Sequence, residues 1–269
     1  MTSAAIAAAA ALIAAASSPA QGSSGISQRR GWDACGIGSS GNAQAFWSNT
    51  PYWNMGLYLG GSSYGTGCTQ WTRTGVANLR SEGWKLLPIW VGPQAPCSGF
   101  PSRFSTDPST AYSQGFTEAS KAYNRLIELG LDVSGTPVIY DLEGFDTSNS
   151  ACVNAVKQFV SGWVADLHLA PAQKAGVYGS ACSSSLSTFR SLPNPPDFID
   201  AAQWDDNPST AALSPCIPAA AWSNRQRHKQ YRGDHNETWN GVTLNVDNDC
   251  SDGPVYPSPD ELDNGQGCV

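Results

Sequence analysis

Apolar residues along this chain gather in short runs, separated by stretches in which apolar positions recur at helical spacing. Runs of Val, Ile, Leu and aromatic residues bounded by Gly, Pro, Asn or Asp mark strands. They predict eight, over residues 31–35, 55–60, 85–91, 137–143, 174–179, 198–204, 228–231 and 242–247. Three intervening segments carry the helical period: 69–81, 108–129 and 151–169. In the second, Tyr112, Phe116, Ala119, Tyr123, Leu126 and Ile127 form one apolar stripe opposite a polar face. Asp107-Pro108 starts that helix with a cap and an N1 proline, and Gly130 stops it. Shorter helices are expected over 43–48 and 184–191.

Strands alternating with helices predict an α/β fold with a parallel sheet, and eight strands predict closure into a (β/α)8 TIM-like barrel. No helical period separates Trp204 from His228, or Tyr231 from Val242. The barrel is therefore expected to be irregular, with loops replacing helices on that side. A chain of 269 residues, 41% hydrophobic, fits one such domain, here placed at 30–250. Residues 1–20 form an alanine-rich apolar run ending Ser17-Ser18-Pro19-Ala20, which reads as an export signal although its start carries no Lys or Arg. Residues 21–29 read as a Ser/Gly linker, and the Pro/Asp/Gly-rich stretch 251–269 as a surface extension pinned by Cys268.

Composition narrows the function. A net charge of −7 with 14% charged residues leaves no basic face for nucleic acid or anionic lipid. The apolar N-terminal run is too weak to insert in a membrane. Eight cysteines, at 35, 68, 97, 152, 182, 216, 250 and 268, contain no Cys-x-x-Cys pair. They read as a disulfide framework in a secreted, extracellular or wall-associated protein. The three histidines lack zinc spacing, so no metal ligands are assigned. Gly36-Ile37-Gly38-Ser39-Ser40-Gly41 has the form of a dinucleotide-binding loop, but no acid occurs between Asp33 and Glu82, where such a loop needs one. Gly61-Ser62-Ser63-Tyr64-Gly65 has the form of a serine-hydrolase elbow, without a helix directly after it. No cofactor is expected. The ten Trp are a different matter, because a flat indole covers the apolar face of a sugar ring.

The strongest chemical signal is Tyr140-Asp141-Leu142-Glu143-Gly144, which closes an apolar strand. Side chains alternate along a strand, so Asp141 and Glu143 share one face at its carboxyl end. That is the edge where α/β barrels build active sites. Asp33 ends the first strand, and Asp247 and Asp249 end the eighth, which is its neighbour in a closed barrel. Acids from distant parts of the chain are thus expected to converge on one mouth. Trp90, Trp204 and Tyr231 lie at or near strand ends, as does Tyr58; with Gln203 and Gln230 they are candidates to line a sugar-binding cleft.

The first-strand Gly31-Trp32-Asp33, the Asp-x-Glu of strand four, Ala202-Gln203-Trp204, Gln230-Tyr231 and Val246-Asp247-Asn248 occur in an order similar to that of glycoside hydrolase family 25 muramidases. Over roughly residues 30 to 250 the chain more closely resembles the secreted glycoside-hydrolase-like family related to them. The resemblance implies a modified TIM barrel acting on a β-1,4-linked polysaccharide such as peptidoglycan, and the chain is expected to be a monomer. It implies Glu143 as the general acid/base and Asp141 as the group that orients the acetamido substituent or steadies the developing cation. Asp33 and Asp247 would support the site, and Trp204, Gln230, Tyr231 and Trp90 would bind substrate. Two acids two residues apart on a strand favour retention over inversion, here assisted by the substrate's own acetamido oxygen. The alternative is a silent glycan-binding barrel. A Glu143 buried against Trp or Tyr with a raised pKa favours catalysis, and a solvated Glu143 in an aromatic-rimmed groove favours binding alone.

Overall fold

The computed structural model describes residues 24–257, apart from 170, 184, 185 and 214, together with Cys268. The expected export signal at 1–20 lies outside these residues. Eight strands close into a barrel: β2 (Arg30–Asp33), β3 (Asn54–Gly60), β4 (Lys85–Trp90), β5 (Pro137–Asp141), β6 (Lys174–Ser180), β7 (Phe198–Ala202), β8 (Arg227–Trp239) and β9 (Val242–Val255). A short first strand, β1 (Gly25–Ser27), adds to the far end of β9. It falls within the segment expected to be a linker.

The strands from β2 to β8 are parallel, and β9 is antiparallel to both β8 and β2, which it joins. A uniformly parallel barrel was the expectation, so this is a correction with a local cause. Asn240-Gly241 sits between β8 and β9 with φ of 49° and 79°, the left-handed pair of a two-residue hairpin turn. So short a turn can only reverse the chain; a parallel return needs a crossover of a dozen residues or more. The hairpin is long, and its upper part packs outward. Leu244 and Val246 join the cluster outside the barrel that contains Trp32, Tyr52 and Phe46 of the first helix. β9 also runs further than expected: Tyr256 is buried and exchanges backbone hydrogen bonds with Leu86, so 251–256 is barrel wall rather than surface extension.

Four α-helices cover one flank: α1 (Ser40–Trp47), α2 (Arg73–Glu82), α3 (Pro108–Leu129) and α4 (Ser150–Leu167). Each starts where a polar side chain, Ser39, Thr72, Asp107 or Asn149, accepts a first-turn amide hydrogen. After β6 the described residues hold only short 3-10 turns, at Leu186–Ser191 and Thr210–Leu213, so loops do replace helices on that side. Helices α3 and α4 meet backbone to backbone. A Cβ on Gly115 would lie 2.0 Å from the Phe159 carbonyl oxygen, and one on Gly162 would lie 2.1 Å from that of Tyr112.

Four disulfides are present among the described residues: Cys35–Cys68, Cys97–Cys152, Cys182–Cys216 and Cys250–Cys268. The first three follow a pattern. Each joins the chain leaving one strand to the chain leaving the next: β2 to β3, β4 to β5 (at the start of α4), and β6 to β7. The rim at the carboxyl ends is therefore stapled in consecutive pairs, and the β8–β9 hairpin makes the fourth pair by continuity. With sequence separations of 33, 55 and 34 residues, each staple removes about 3–4 kcal/mol of unfolded-chain entropy in the loop-closure description.

Substituting Gly162→Ala should force α3 and α4 apart and cost about 1–3 kcal/mol. Urea unfolding is expected to show a lower midpoint at an unchanged slope.

Candidate active site

Inward positions of the strands alternate with outward ones, and on several strands the inward column passes from an apolar residue to a polar one. Ile139 precedes Asp141 on β5, Phe198 precedes Asp200 on β7, and His228 precedes Gln230 on β8. Lower down, Leu87, Ile89, Ile139, Phe198 and Val255 fill the barrel with apolar side chains. On that floor stands a narrow pit of about 50 Å³, walled by Asp33, Tyr58, Asp141, Glu143, Tyr178, Asp200, Gln230 and Asp247. It has room for a few waters or one pendant group of a sugar. The pit opens beside a wider groove of about 510 Å³, bordered by Glu143, Gly144, Tyr178, Ser180, Cys182, Gln203 and Trp204. Its size suits a sugar-chain segment.

Two glutamines organise the pit. Gln230 donates from Nε2 to Asp33 and to Asp247, at 3.1 Å each. Its Oε1 accepts from Trp204 Nε1 at 2.9 Å and from the Tyr178 hydroxyl at 3.1 Å. Tyr58 donates to the other oxygen of Asp33 at 2.7 Å. Gln94, fully buried in the β4–α3 connection, holds the acidic pair from behind. Its Nε2 donates to the Asp141 carbonyl at 2.8 Å, and its Oε1 accepts the Glu143 amide hydrogen at 2.9 Å. The Gln94 side chain thereby acts as one more rung of the β4–β5 ladder. Glu143 lies just past the end of β5, and this rung keeps it on the same face as Asp141.

Burial dominates the electrostatics, because the carboxyls stand on an apolar floor and crowd one another. Asp33 is pushed up to about 7 by burial and by Asp247, against hydrogen bonds from Tyr58 and Gln230 and one shared with Asp249. Asp200 reaches about 8 through burial and the charges of Asp33 and Asp247. Asp141 and Asp249 are held well above the carboxylate range, first by burial and then by neighbouring acids. Glu143 is half-buried and also raised by burial, with the Gly144 amide pulling the other way. Three buried carboxyl oxygens, Oδ1 of Asp141, Asp200 and Asp249, have no hydrogen-bond partner. Among the described residues, no three His, Cys, Asp or Glu side chains are arranged to hold a metal ion.

The residues singled out from sequence divide into two groups. Asp33, Asp141, Glu143, Asp247 and Gln230 meet in the pit, and Trp204 stands at the groove, 60% exposed. Trp90 and Tyr231 do not belong to the site. Trp90 turns outward and donates its indole N–H to Glu118 on α3 at 2.8 Å. Tyr231 packs outside the barrel against Cys250 and Cys268. Strand alternation explains both, since Tyr231 neighbours the inward Gln230 and Trp90 the inward Ile89. Asp247 and Asp249 lie in mid-strand rather than at a strand end; they reach the mouth because β9 is antiparallel, with Asp247 directly opposite Asp33. Asp200, Tyr178 and Gln94 were not anticipated. For Asp200 a signal existed, a lone acid inside Phe198-Ile199-Asp200-Ala201-Ala202, since acids are rarely buried without a purpose. Gln94 lies in a loop, where sequence periodicity says nothing.

Residues 44–251, more than half the chain, match the model of the Rv2525c-like, glycoside hydrolase-like domain. The chain belongs to that family. Among solved structures, this family member resembles an uncharacterized protein of B. stearothermophilus, with 17% identity over 83% of this chain and 95% of the other, at a TM-score of 0.56. It also resembles the Tat-secreted protein Rv2525c of Mycobacterium tuberculosis, solved in complex with HEPES, with 13% identity over 84% and 96% and a TM-score of 0.51. A family 25 glycosyl hydrolase from Bacillus anthracis matches with 13% identity over 84% and 89% and a TM-score of 0.50. At such identities the likeness is one of fold. No relative was found among curated protein sequences.

The raised carboxyls make stability depend on pH. Asp200 ionises near 3.8 when unfolded and near 8 when folded. The folded chain therefore holds a proton that the unfolded chain releases, and stability falls as pH rises across that interval. Asp200→Asn removes this contribution. Its melting temperature should exceed that of the wild type by more at pH 8 than at pH 5, at roughly 2–4 °C per kcal/mol for a domain of this size.

Proposed function

We propose that this family member hydrolyses a β-1,4-linked cell-wall glycan of the peptidoglycan type, with Glu143 as general acid/base. The observation that carries this reading is Glu143 itself, half-buried, raised in pKa, and at the junction of the acidic pit with the Trp204 groove. A carboxylic acid whose pKa is raised by burial holds its proton to higher pH than a solvated one and can deliver it to a glycosidic oxygen lying in the groove. Asp141, beside it, presents a buried oxygen without a partner. That acceptor suits the N–H of an acetamido group pointing into the pit. Held there, the acetamido oxygen can attack the anomeric carbon, giving retention assisted by the substrate. Asp33, Asp247 and Gln230 hold the far wall and bond to sugar hydroxyls.

The four disulfides fit an exported protein acting at the cell wall or beyond it, and a structural neighbour bears the description Tat-secreted. No helix among the described residues is long and apolar enough to cross a membrane. We take the unit that acts on the polysaccharide to be a monomer.

The test is release of reducing ends from purified peptidoglycan and from chitin oligomers. Glu143→Gln keeps the shape and removes the proton, so turnover should fall by roughly 10²–10⁴-fold while glycan binding persists. Binding without turnover by the wild type would assign the barrel to glycan recognition and leave the acids as sugar ligands.

A further inference from the structure

Trp204 is a large side chain left open to solvent, yet the backbone around it is fastened at almost every residue. The Gln203 amide donates to the Gln230 carbonyl and the Asp206 amide to that of Tyr231, at 2.9 and 3.0 Å. Gln203 Nε2 reaches both Asp205 and the Ala212 carbonyl, at 2.7 and 2.8 Å. Asp206 carries a φ of 54°, a left-handed conformation that a non-glycine residue keeps only when its surroundings impose it. A Cβ on Gly233 would lie 2.1 Å from the indole, so Trp204 packs closely against bare backbone of β8.

The centre of this fastening is an ion pair on the outer side of the barrel. Lys229, wholly buried on β8, donates to both oxygens of Asp205 at 2.7 and 2.9 Å and to the Asn207 carbonyl at 3.0 Å. Burial pushes the Asp205 carboxyl up, but the hydrogen bonds from Lys229, the Asn207 amide and Gln203 outweigh it and hold the group below its ordinary value. A buried ammonium is an expensive way to secure a loop, and apolar residues of similar size often serve stability as well or better. What the pair supplies is direction, because three hydrogen bonds from one nitrogen fix where residues 205 to 207 can lie. The Cys182–Cys216 disulfide limits the same wall from the opposite side, and Cys182 borders the groove.

We infer that Lys229 and Asp205 are positioning residues that hold Trp204 as a preformed platform for the sugar chain in the groove, setting affinity for glycan rather than the acid chemistry in the pit. This inference rests on the glycan reading above for its ligand, and on the geometry alone for its mechanics. Neither residue touches the pit. Their influence passes through Trp204, whose indole N–H is tied to Gln230.

The deciding variant is the double substitution Lys229→Met with Asp205→Asn, since changing one partner alone would strand a buried charge. The chain is labelled with 5-fluorotryptophan, and its ten indole signals are assigned with Trp204→Phe as reference. The double variant should melt within a few degrees of the wild type, and its Trp204 signal alone should shift or broaden. In a Glu143→Gln background, chitin oligomers should bind roughly tenfold more weakly than to the Glu143→Gln chain with the ion pair intact. In the active chain KM should rise with kcat and its pH profile unchanged. An unmoved Trp204 signal, or displacement of all ten, would overturn the inference, as would wild-type affinity in a variant whose Trp204 signal has moved. A wild type that binds no glycan, with Trp204 still responding alone, would refute the glycan reading and leave the positioning role standing.

Discussion

Everything at the mouth of this barrel depends on the way the barrel closes. The ninth strand runs antiparallel between β2 and β8, and its register sets Asp247 against Asp33 and Asp249 against Gly31 and Gln230. A parallel closing strand would bring only its last residues to the rim. The antiparallel one continues past the rim into a hairpin, so Asp247 of its middle stands at the mouth with Asp249 buried below it, while its upper half joins the cluster that holds Phe46 of α1. Closure and the placement of these acids thus share one cause, the two-residue turn at Asn240-Gly241.

Crowding of the acids follows from that closure. Asp33, Asp141, Asp200, Asp247 and Asp249 come from four different strands, and all are pushed towards the protonated form by the apolar floor and by one another. Such an arrangement works against folding near neutral pH, and the structure offsets it in two ways. Gln230 and Tyr58 donate hydrogen bonds to the most crowded carboxyls. Three disulfides staple the loops around the mouth in consecutive pairs, so the rim does not spread to relieve the repulsion. Strain of this kind is typical of sites where chemistry requires protons to be held.

Much of this was legible in the chain. The helix at 108–129 was read to the residue because stripe, cap, N1 proline and terminal glycine all agree there. The acidic pair Asp141 and Glu143 was legible because strand alternation is a local rule, and Trp204 because it lies just past the end of β7, whereas Gln230 reaches the pit from within the long β8. The same rule misled at Trp90 and Tyr231, which occupy the outward phase of their strands; phase depends on which neighbour faces the barrel axis. Asn240-Gly241 carries a hairpin signal in the sequence, which a count of strands and helices does not reveal.

What the sequence determined by itself is what short-range chemistry controls: strand and helix positions, caps, the even set of cysteines, and two carboxyls on one face of a strand. Tertiary structure alone decided the pairing of the cysteines, the part played by Gln94 as a rung of the sheet, and the burial of Asp200 and Lys229. Each of these joins residues tens to hundreds of positions apart. Their energies come from burial and from partners met only in the folded chain, so no local pattern could carry them.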